Sequence, residues 1–373
     1  MRCLHVYSGN LFGGVERVLI TLAGERANTR ALDHDIALAF DGDLAGRLRA
    51  AGITPHILGP VHARNPLTIA RARRALARII AATAPDALIC HGAWAHLLLG
   101  STASRAGIPL VWWVHGAFNA AHWLDRFAAS RPADLVICNS AFTRSTVTGH
   151  VGSTPVRVIF NPVSVAEVSG RQREHRRRQM GVRPGEKVVM QAGRTEPSKG
   201  HEILLRALAR LRDRTDWVLW EVGAPQRPRE VRYLNTLRRL AADLGLADRV
   251  HFVGRRDDVT ELIAAADVYA QANIAPEGFG LTLVEAMLSG VPVVTSALGA
   301  AQELVDDTCG ILVPPGDISV LTTVIGRLLD DERARRHLGS GGPSRGYIVA
   351  NPAARLHDLA IAVEDLMRGR RVA

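Results

Sequence analysis

The chain has little that would staple it, anchor it or give it a metal. Its four cysteines, Cys3, Cys90, Cys138 and Cys309, lie far apart and form no Cys-x-x-Cys pair. Each sits in or beside an apolar, strand-like run, so the expectation is buried free thiols, with no disulfide framework and no zinc site. No apolar run approaches the roughly 20 residues that span a bilayer. The opening Met1-Arg2-Cys3-Leu4-His5-Val6-Tyr7 passes directly into a strand-like run, unlike a signal peptide, and predicts a cytoplasmic protein. Aromatic residues make up 5% of the chain and do not interleave with its basic clusters, so nucleic acid, which wants stacking platforms, is not an expected partner.

What is present suits a two-domain globular protein. The 373 residues are long for one core, and 47% hydrophobic with 22% charged residues is ordinary for a folded soluble chain. The net charge of +10 makes polyanions, phosphorylated substrates and an anionic membrane face plausible partners. The densest basic cluster, Arg171-Gln172-Arg173-Glu174-His175-Arg176-Arg177-Arg178, reads first as solvated helix surface.

Short apolar runs alternate with helical patterns, the signature of βα units and parallel sheets. Strands are expected at residues 2–7, 35–40, 54–57, 87–90, 110–114, 135–138 and 156–159. After Pro184-Gly185 the pattern restarts, with strands at 187–192, 217–222, 250–253, 268–271, 291–296 and 311–313. Helices fill the gaps, among them 15–27, 66–82 and 141–148. The fold class is therefore α/β, with two doubly wound parallel-sheet halves. The boundaries are set at 1–164 and 165–352 around the seam Phe160-Asn161-Pro162-Val163, with 353–373 a terminal helix that could pack back on the first half. Ligand sites in such folds lie beyond the carboxyl ends of the strands.

The richest segment there is Pro276-Glu277-Gly278-Phe279-Gly280-Leu281-Thr282-Leu283-Val284-Glu285-Ala286-Met287. It puts one carboxylate in a Gly-flanked loop and a second about one turn into a helix. Free amides and the helix dipole at Gly280 and Leu281 suit an anion, while an ionised Glu285 can accept hydrogen bonds from vicinal hydroxyls. The competing reading makes Glu277 a solvated loop residue and Glu285 a surface ion-pair partner. After strand 187–192 comes Gly193-Arg194-Thr195-Glu196-Pro197-Ser198-Lys199-Gly200, where Arg194 and Lys199 could neutralise a departing diphosphate or could be ordinary surface cations. The segment is not a Walker loop.

Three weaker candidates lie in the first half. Ser8-Gly9-Asn10-Leu11-Phe12-Gly13-Gly14-Val15-Glu16-Arg17 could bring the amides of Gly13 and Gly14 to a sugar or phosphate, or could be a tight loop with no ligand. His115 emerges at a strand end, as His91 does, and is either a site residue or a packed histidine. Asp41-Gly42-Asp43 has the look of a carboxylate pair for a divalent metal and also of a turn. No Ser-His-Asp or Cys-His constellation assembles from the linear sequence.

Together these residues resemble the retaining nucleotide-sugar glycosyltransferases of family 4, which have the GT-B fold of two Rossmann-like domains facing across a cleft. The resemblance rests on Gly13-Gly14-x-Glu16, His115, Gly193-Arg194, Lys199-Gly200, Glu277-Gly278-Phe279-Gly280 with Glu285, Ser289-Gly290-Val291-Pro292-Val293-Val294, Glu303-Leu304-Val305, Gly310 and Pro315-Gly316-Asp317. It implies an acceptor-binding first domain and a donor-binding second one. Arg194 and Lys199 would bind the donor diphosphate, Glu285 the ribose hydroxyls, and Glu277 the donor sugar with the amides around Gly278, Phe279, Gly280 and Leu281. Gly193 would belong to the same donor site, Gly13 and Gly14 would line it, His115 would lie beside the sugar, and Arg255 would flank the nucleobase. The family departs from this chain at Asn161-Pro162-Val163, often Asn-Gly-Val-Asp, and at Thr282, often Pro.

The expected activity is hexosyl transfer with retention from a nucleoside-diphosphate sugar to a glycan or lipid-linked acceptor in cell-surface or exopolysaccharide synthesis. Neither cofactor nor metal is expected, and the inner face of the plasma membrane is a candidate docking surface. The alternatives are a sucrose- or trehalose-synthase-like enzyme, a phosphorylase-like enzyme, or a sugar-nucleotide-binding subunit without catalysis. A phosphorylase would want a lysine for pyridoxal phosphate, and the chain has only Lys187 and Lys199.

Overall fold

The computed structural model describes residues 1–10, 13–25 and 32–372, and of 370–372 the backbone alone. The chain forms two compact units, Met1–Val163 with Ala350–Ala373, and Ser164–Val349. The division falls at the end of the expected seam, one residue before the expected boundary at 164, and the return to the first unit comes three residues before the expected terminal segment.

The first unit is a seven-stranded sheet of β1 Arg2–Tyr7, β2 Asp33–Leu38, β3 His56–Ile57, β4 Ala87–His91, β5 Leu110–Val114, β6 Leu135–Cys138 and β7 Val156–Val158. Their order is β3-β2-β1-β4-β5-β6-β7, and every pairing is parallel. The second unit holds β8 Lys187–Ala192, β9 Trp217–Val222, β10 Val250–Gly254, β11 Val268–Gln271, β12 Val293–Ser296 and β13 Gly310–Val313. These run β10-β9-β8-β11-β12-β13, again all parallel. The units are thus two Rossmann-like domains, each with a topological switch point, between β1 and β4 in one and between β8 and β11 in the other.

Parallel strands covered on both faces read as continuous apolar runs, and Leu110-Val111-Trp112-Trp113-Val114 is buried throughout. Each expected strand is present. Differences are confined to ends: the second strand is Asp33–Leu38 instead of 35–40, and the twelfth starts at Val293 because Pro292 has no N–H for the ladder. The helix expected at 15–27 runs Gly14–Gly24, and its expected end at Ala27, like Leu11 and Phe12 of the loop before it, lies outside the described residues.

Local chemistry sets the helix starts. Asn65 accepts the Leu67 amide at 3.1 Å with Pro66 at the first helical position, and Asp317 accepts that of Val320 at 2.9 Å. The terminal helix Pro352–Val372 buries Leu359, Ala362 and Val363 in the first unit's core with Cys3, Ile89, Val111 and Trp113, and Asp365 pairs with Arg157 at 2.8 Å. In the second unit, helix Glu332–Ala350 lies close enough that a Cβ on Gly342 would meet the Met287 carbonyl at 2.5 Å. Small residues there seat helix Leu281–Leu288 from behind.

Candidate functional site

In the second unit the site grows from the two strands that flank the switch point. The turn after β8 ends in a short 3-10 segment, Pro197–Lys199, and then Gly200 at φ +69°. A Cβ on Gly200 would lie 1.6 Å from the Ala272 carbonyl oxygen just past β11, so only glycine lets the two loops touch. Ile274 donates its amide to Ser198 O at 3.0 Å, and Gln191 its side-chain amide to Lys199 O at 2.8 Å. The loop carrying Lys199 is thereby fastened to the loop carrying Glu277.

The side chains meet across that junction. Lys199 Nζ donates to both carboxylate oxygens of Glu277, at 2.8 and 2.7 Å. Gln271 Nε2 at 2.7 Å and Asn273 Nδ2 at 3.0 Å add two donors to Glu277 Oε2. Burial works against the charge on Glu277, but the Lys199 ammonium and the two amides outweigh it and hold the carboxyl below its ordinary range. Gln271 Oε1 accepts in turn from the hydroxyls of Tyr269 and Thr282, both at 3.2 Å. From behind, Ala300 donates its amide to Glu277 O at 3.0 Å, next to Gly299 at φ +58°.

Gly278, Phe279 and Gly280 are buried, and Gly280 at φ +90° turns the chain into helix Leu281–Leu288. Glu285 is 4% exposed inside that helix, which overturns its reading as a surface residue. Gly193 is pinned by its carbonyl against Gly223, where a Cβ would come within 1.8 Å of the Gly193 oxygen. Arg194 pairs with Glu196 at 2.9 Å and keeps 41% of its side chain exposed. Behind this loop lies a buried pair that the sequence did not suggest: His201 Nδ1 contacts Glu221 at 2.8 Å and His201 Nε2 the Arg194 carbonyl at 3.1 Å. Burial lowers the affinity of His201 for its proton, and the Glu221 carboxylate more than restores it. Arg255 is an exposed residue just beyond β10.

The first unit carries different chemistry. The Gly13 amide donates to Glu16 Oε2 at 2.8 Å, and the Tyr7 hydroxyl donates to Glu16 Oε1 at the same distance. That amide, expected to approach a ligand, is taken by the chain's own buried carboxylate. Asp41 and Asp43 pair with Arg49 at 2.9 Å and Arg47 at 3.1 Å, so the Asp-Gly-Asp segment is a neutralised helix start. Among the described residues no group of three or more His, Cys, Asp or Glu side chains is placed to hold a metal ion. His115 sits at the carboxyl end of β5, its carbonyl bonded by Asn139 Nδ2 at 2.9 Å. Its ring continues a row, His34 Nδ1 to His5 Nε2 at 2.9 Å, His5 Nδ1 to His91 Nε2 at 2.8 Å, and His91 Nδ1 to His115 Nε2 at 2.8 Å. Trp113 stacks on both His91 and His115, with ring centroids 5.3 Å away in each case. Burial pushes His5 and His91 well below the usual histidine value and His115 down to about 3, so these three rings are neutral.

Elsewhere two arginines tie down the helix of the basic cluster, while Arg171, Arg173 and Arg178 are exposed. Arg176 binds Asp258 at 3.2 Å and Glu261 at 2.7 Å, and Arg177 binds Asp267 at 2.8 Å. Gln271, Asn273, His201, Glu221, His5 and His34 were not singled out in the sequence. The available signal was a polar residue ending, or alternating within, an otherwise apolar strand.

Comparison with known proteins extends over most of the chain. Residues 172–345 match the pattern of the family described as glycosyl transferases group 1, and residues 12–167 that of Glycosyltransferase Family 4. A GDP-mannose-dependent alpha-(1-6)-phosphatidylinositol monomannoside mannosyltransferase of Mycolicibacterium smegmatis is 33% identical over 299 residues, 74% of each chain. The lipopolysaccharide core biosynthesis mannosyltransferase LpsB of Rhizobium meliloti is 30% identical over 199 residues, 51% of this chain and 54% of that one. Anabaena HepE, solved in complex with UDP and glucose, superposes with a TM-score of 0.86 at 26% identity, covering 98% of this chain and all of that one.

Proposed function

From a chain that belongs to the group 1, family 4 glycosyltransferases of GT-B type, we propose a retaining hexosyltransferase that moves a sugar from a nucleoside diphosphate to a glycan or lipid-linked acceptor in surface-polysaccharide or glycolipid synthesis. The observation that carries this reading is the ion pair of Lys199 and Glu277, supported by Gln271 and Asn273, across the switch point of the second unit.

Lys199 and Arg194 supply cationic donors for a diphosphate, and the opening amides of helix Leu281–Leu288 add the positive end of its dipole. Because charge grows on the diphosphate as the bond to the anomeric carbon breaks, these groups stabilise the transition state more than the bound donor. The acceptor oxygen bonds the same face of the sugar, and its proton passes to the departing phosphate oxygen. The cations of the chain make a metal unnecessary for that charge. Glu277, ionised and rigidly held, accepts from sugar hydroxyls, and buried Glu285 accepts from the ribose. The names of the relatives point to GDP-mannose, and the HepE complex to UDP and glucose, as donors to try first.

For the acceptor, the relatives' lipid-linked substrates and the net charge of +10 favour an anionic membrane surface. Exposed Trp123 and Phe127, on one helix with Arg126 over the Phe127 ring at 5.7 Å, suit a lipid interface. The test is acceptor-dependent release of nucleoside diphosphate from GDP-mannose and UDP-glucose, with the anomeric configuration of the product read by NMR. Retention with turnover is expected, and EDTA should leave the rate unchanged. Binding without turnover across broad acceptor libraries would make the protein a carrier subunit, and an inverted product would remove the front-face mechanism.

A further inference from the structure

The turn that presents Arg194 is tied down twice by the last two residues of β9. Val222 accepts the Gly193 amide directly at 2.9 Å. Glu221 acts through His201, whose Nδ1 lies 2.8 Å from Glu221 Oε2 and whose Nε2 lies 3.1 Å from the Arg194 carbonyl oxygen. His201 opens its helix at 3% exposure and Glu221 is 5% exposed, so water scarcely competes for either contact. Glu221 Oε1 has no hydrogen-bond partner among the described residues, which leaves the ring as the group this carboxylate serves.

These partners decide the protonation of the ring. A carbonyl oxygen only accepts, and so does an ionised carboxylate, so a ring facing both satisfies both only as an imidazolium with two N–H donors. A neutral ring would give its single proton to one partner and turn a lone pair on the other. Charge favours the carboxylate, so the Arg194 carbonyl would be the group that loses its donor. What remains to that carbonyl is the Glu196 amide at 2.8 Å, which belongs to the same turn and cannot anchor it to the sheet.

We propose that His201, kept as an imidazolium by Glu221, is the positioning residue of Arg194: its Nε2 proton fastens the Arg194 carbonyl to β9 and so aims the guanidinium at the diphosphate of a bound nucleotide. The pair is thereby a proton-dependent latch on the donor site. Burial works against the charge on the ring, and Glu221 more than offsets it, while Lys199, two residues earlier, opposes the proton as well. Tyr233, from helix Pro228–Asp243, meets the ring edge-on with centroids 6.3 Å apart. Burial pushes its hydroxyl up to about 12, so it stays neutral while His201 titrates. The latch is closed below the ordinary histidine value near about pH 6.5 and opens, its proton going to water, as the pH rises through the higher folded value. The use of Arg194 rests on the reading proposed above; the doubly protonated ring does not.

The experiment combines two measurements on the full-length protein. Long-range proton–nitrogen correlation of protein labelled with ¹⁵N-histidine should show His201 protonated on both nitrogens at about pH 6.5, and a neutral ring there would overturn the latch. Calorimetric titration with UDP and with GDP between about pH 6.5 and 9 should show the Kd of the nucleotide that binds rising about 10-fold, roughly the loss of one hydrogen bond in the site. In Glu221→Gln the side-chain amide can donate to Nδ1, so a neutral ring keeps its Nε2 proton on the Arg194 carbonyl and the slope should vanish. An equal slope in both proteins would assign it to Lys199 or to the nucleotide, and a flat profile in the native protein would reduce His201 to packing. His201→Phe removes the latch at every pH and should bind about 10-fold more weakly at the acid end of the range, again without a slope; native-like binding would overturn the proposal. Should either variant fail to fold, the native spectrum and profile still decide. Binding of neither nucleotide would sink the proposed function, and the spectrum would then judge the latch by itself.

Discussion

The two switch points share a topology and differ in how they hold polarity. Around β8 and β11, fixed charges meet as Lys199 with Glu277 and His201 with Glu221, each pair tied to backbone or amide groups. Around β1 and β4, four imidazoles stand in a row, and burial disfavours charge on His5, His91 and His115. A preset ion pair suits a ligand that brings and sheds negative charge. A row of buried imidazoles without a carboxylate partner brings no such preset charge. One fold thus hosts two chemistries, because function resides in the groups placed at the strand ends and not in the sheet.

The sharpest way to break this contrast is to remove the fixed charge. Lys199→Ala is expected to slow transfer about 10²–10³-fold with a smaller change in donor binding, the loss typical of one group aimed at developing charge. Steady-state kinetics with saturating donor reads it, and an unchanged kcat would end the assignment. The backbone offers the next test. Gly200 and Gly92 both have positive φ, yet a Cβ on Gly92 meets open space whereas one on Gly200 runs into Ala272 O. Gly92→Ala should cost about 1–2 kcal/mol, and Gly200→Ala at least about 3 kcal/mol, a Tm loss of roughly 6 °C or more. Equal Tm values would show that the loops of the second unit yield.

Acid should separate the units with opposite signs. The unfolded chain takes protons on histidine near pH 6.5. In the first unit, burial depresses His5, His91 and His115, so their stability is whole above about pH 6.5 and drains as the pH falls below it, toward about 3 for His115. His201 is raised by Glu221, so its contribution is present below about pH 6.5 and is lost as the pH rises through its folded value. Between pH 7 and 5, hydrogen-exchange protection of β1, β4 and β5, corrected for intrinsic rate, should fall by up to about 10-fold per pH unit for each histidine that titrates. Protection of β9 and helix His201–Ala209 should hold or rise. A flat profile in the first unit would mean that its histidines charge without cost.

The strands were legible because both faces of each sheet are covered, which writes them as apolar runs, and Gly200 and Gly280 marked the turns that feed the site helices. Lys199 and Glu277 could be named as candidates, but not their direct bond, because 78 residues separate them and only the order β8-β11 brings them together. The same limit hid the histidine row. His5 and His34 look like isolated polar residues in buried strands until the register aligns them on one diagonal. Gln271 and Asn273 could be noticed only as polar residues at and just past the end of an apolar strand, and their role stays unreadable until the carboxylate they serve is in place. The engagement of the Gly13 amide by Glu16 likewise depended on a side chain turning back three residues.

The smallest effect concerns Glu285, and it asks whether the second site needs charge or only an acceptor. Glu285→Ala removes both and should raise the donor KM about 10-fold with kcat little changed, the signature of lost binding shared by ground and transition states. Glu285→Gln keeps a carbonyl oxygen of similar reach, so if the ribose hydroxyls simply need an acceptor, KM should rise only about 2-fold. Matching losses in the two variants would show that the negative charge itself holds the nucleoside. The second site would then differ from the neutral first one in every contact it makes, not only where phosphate departs.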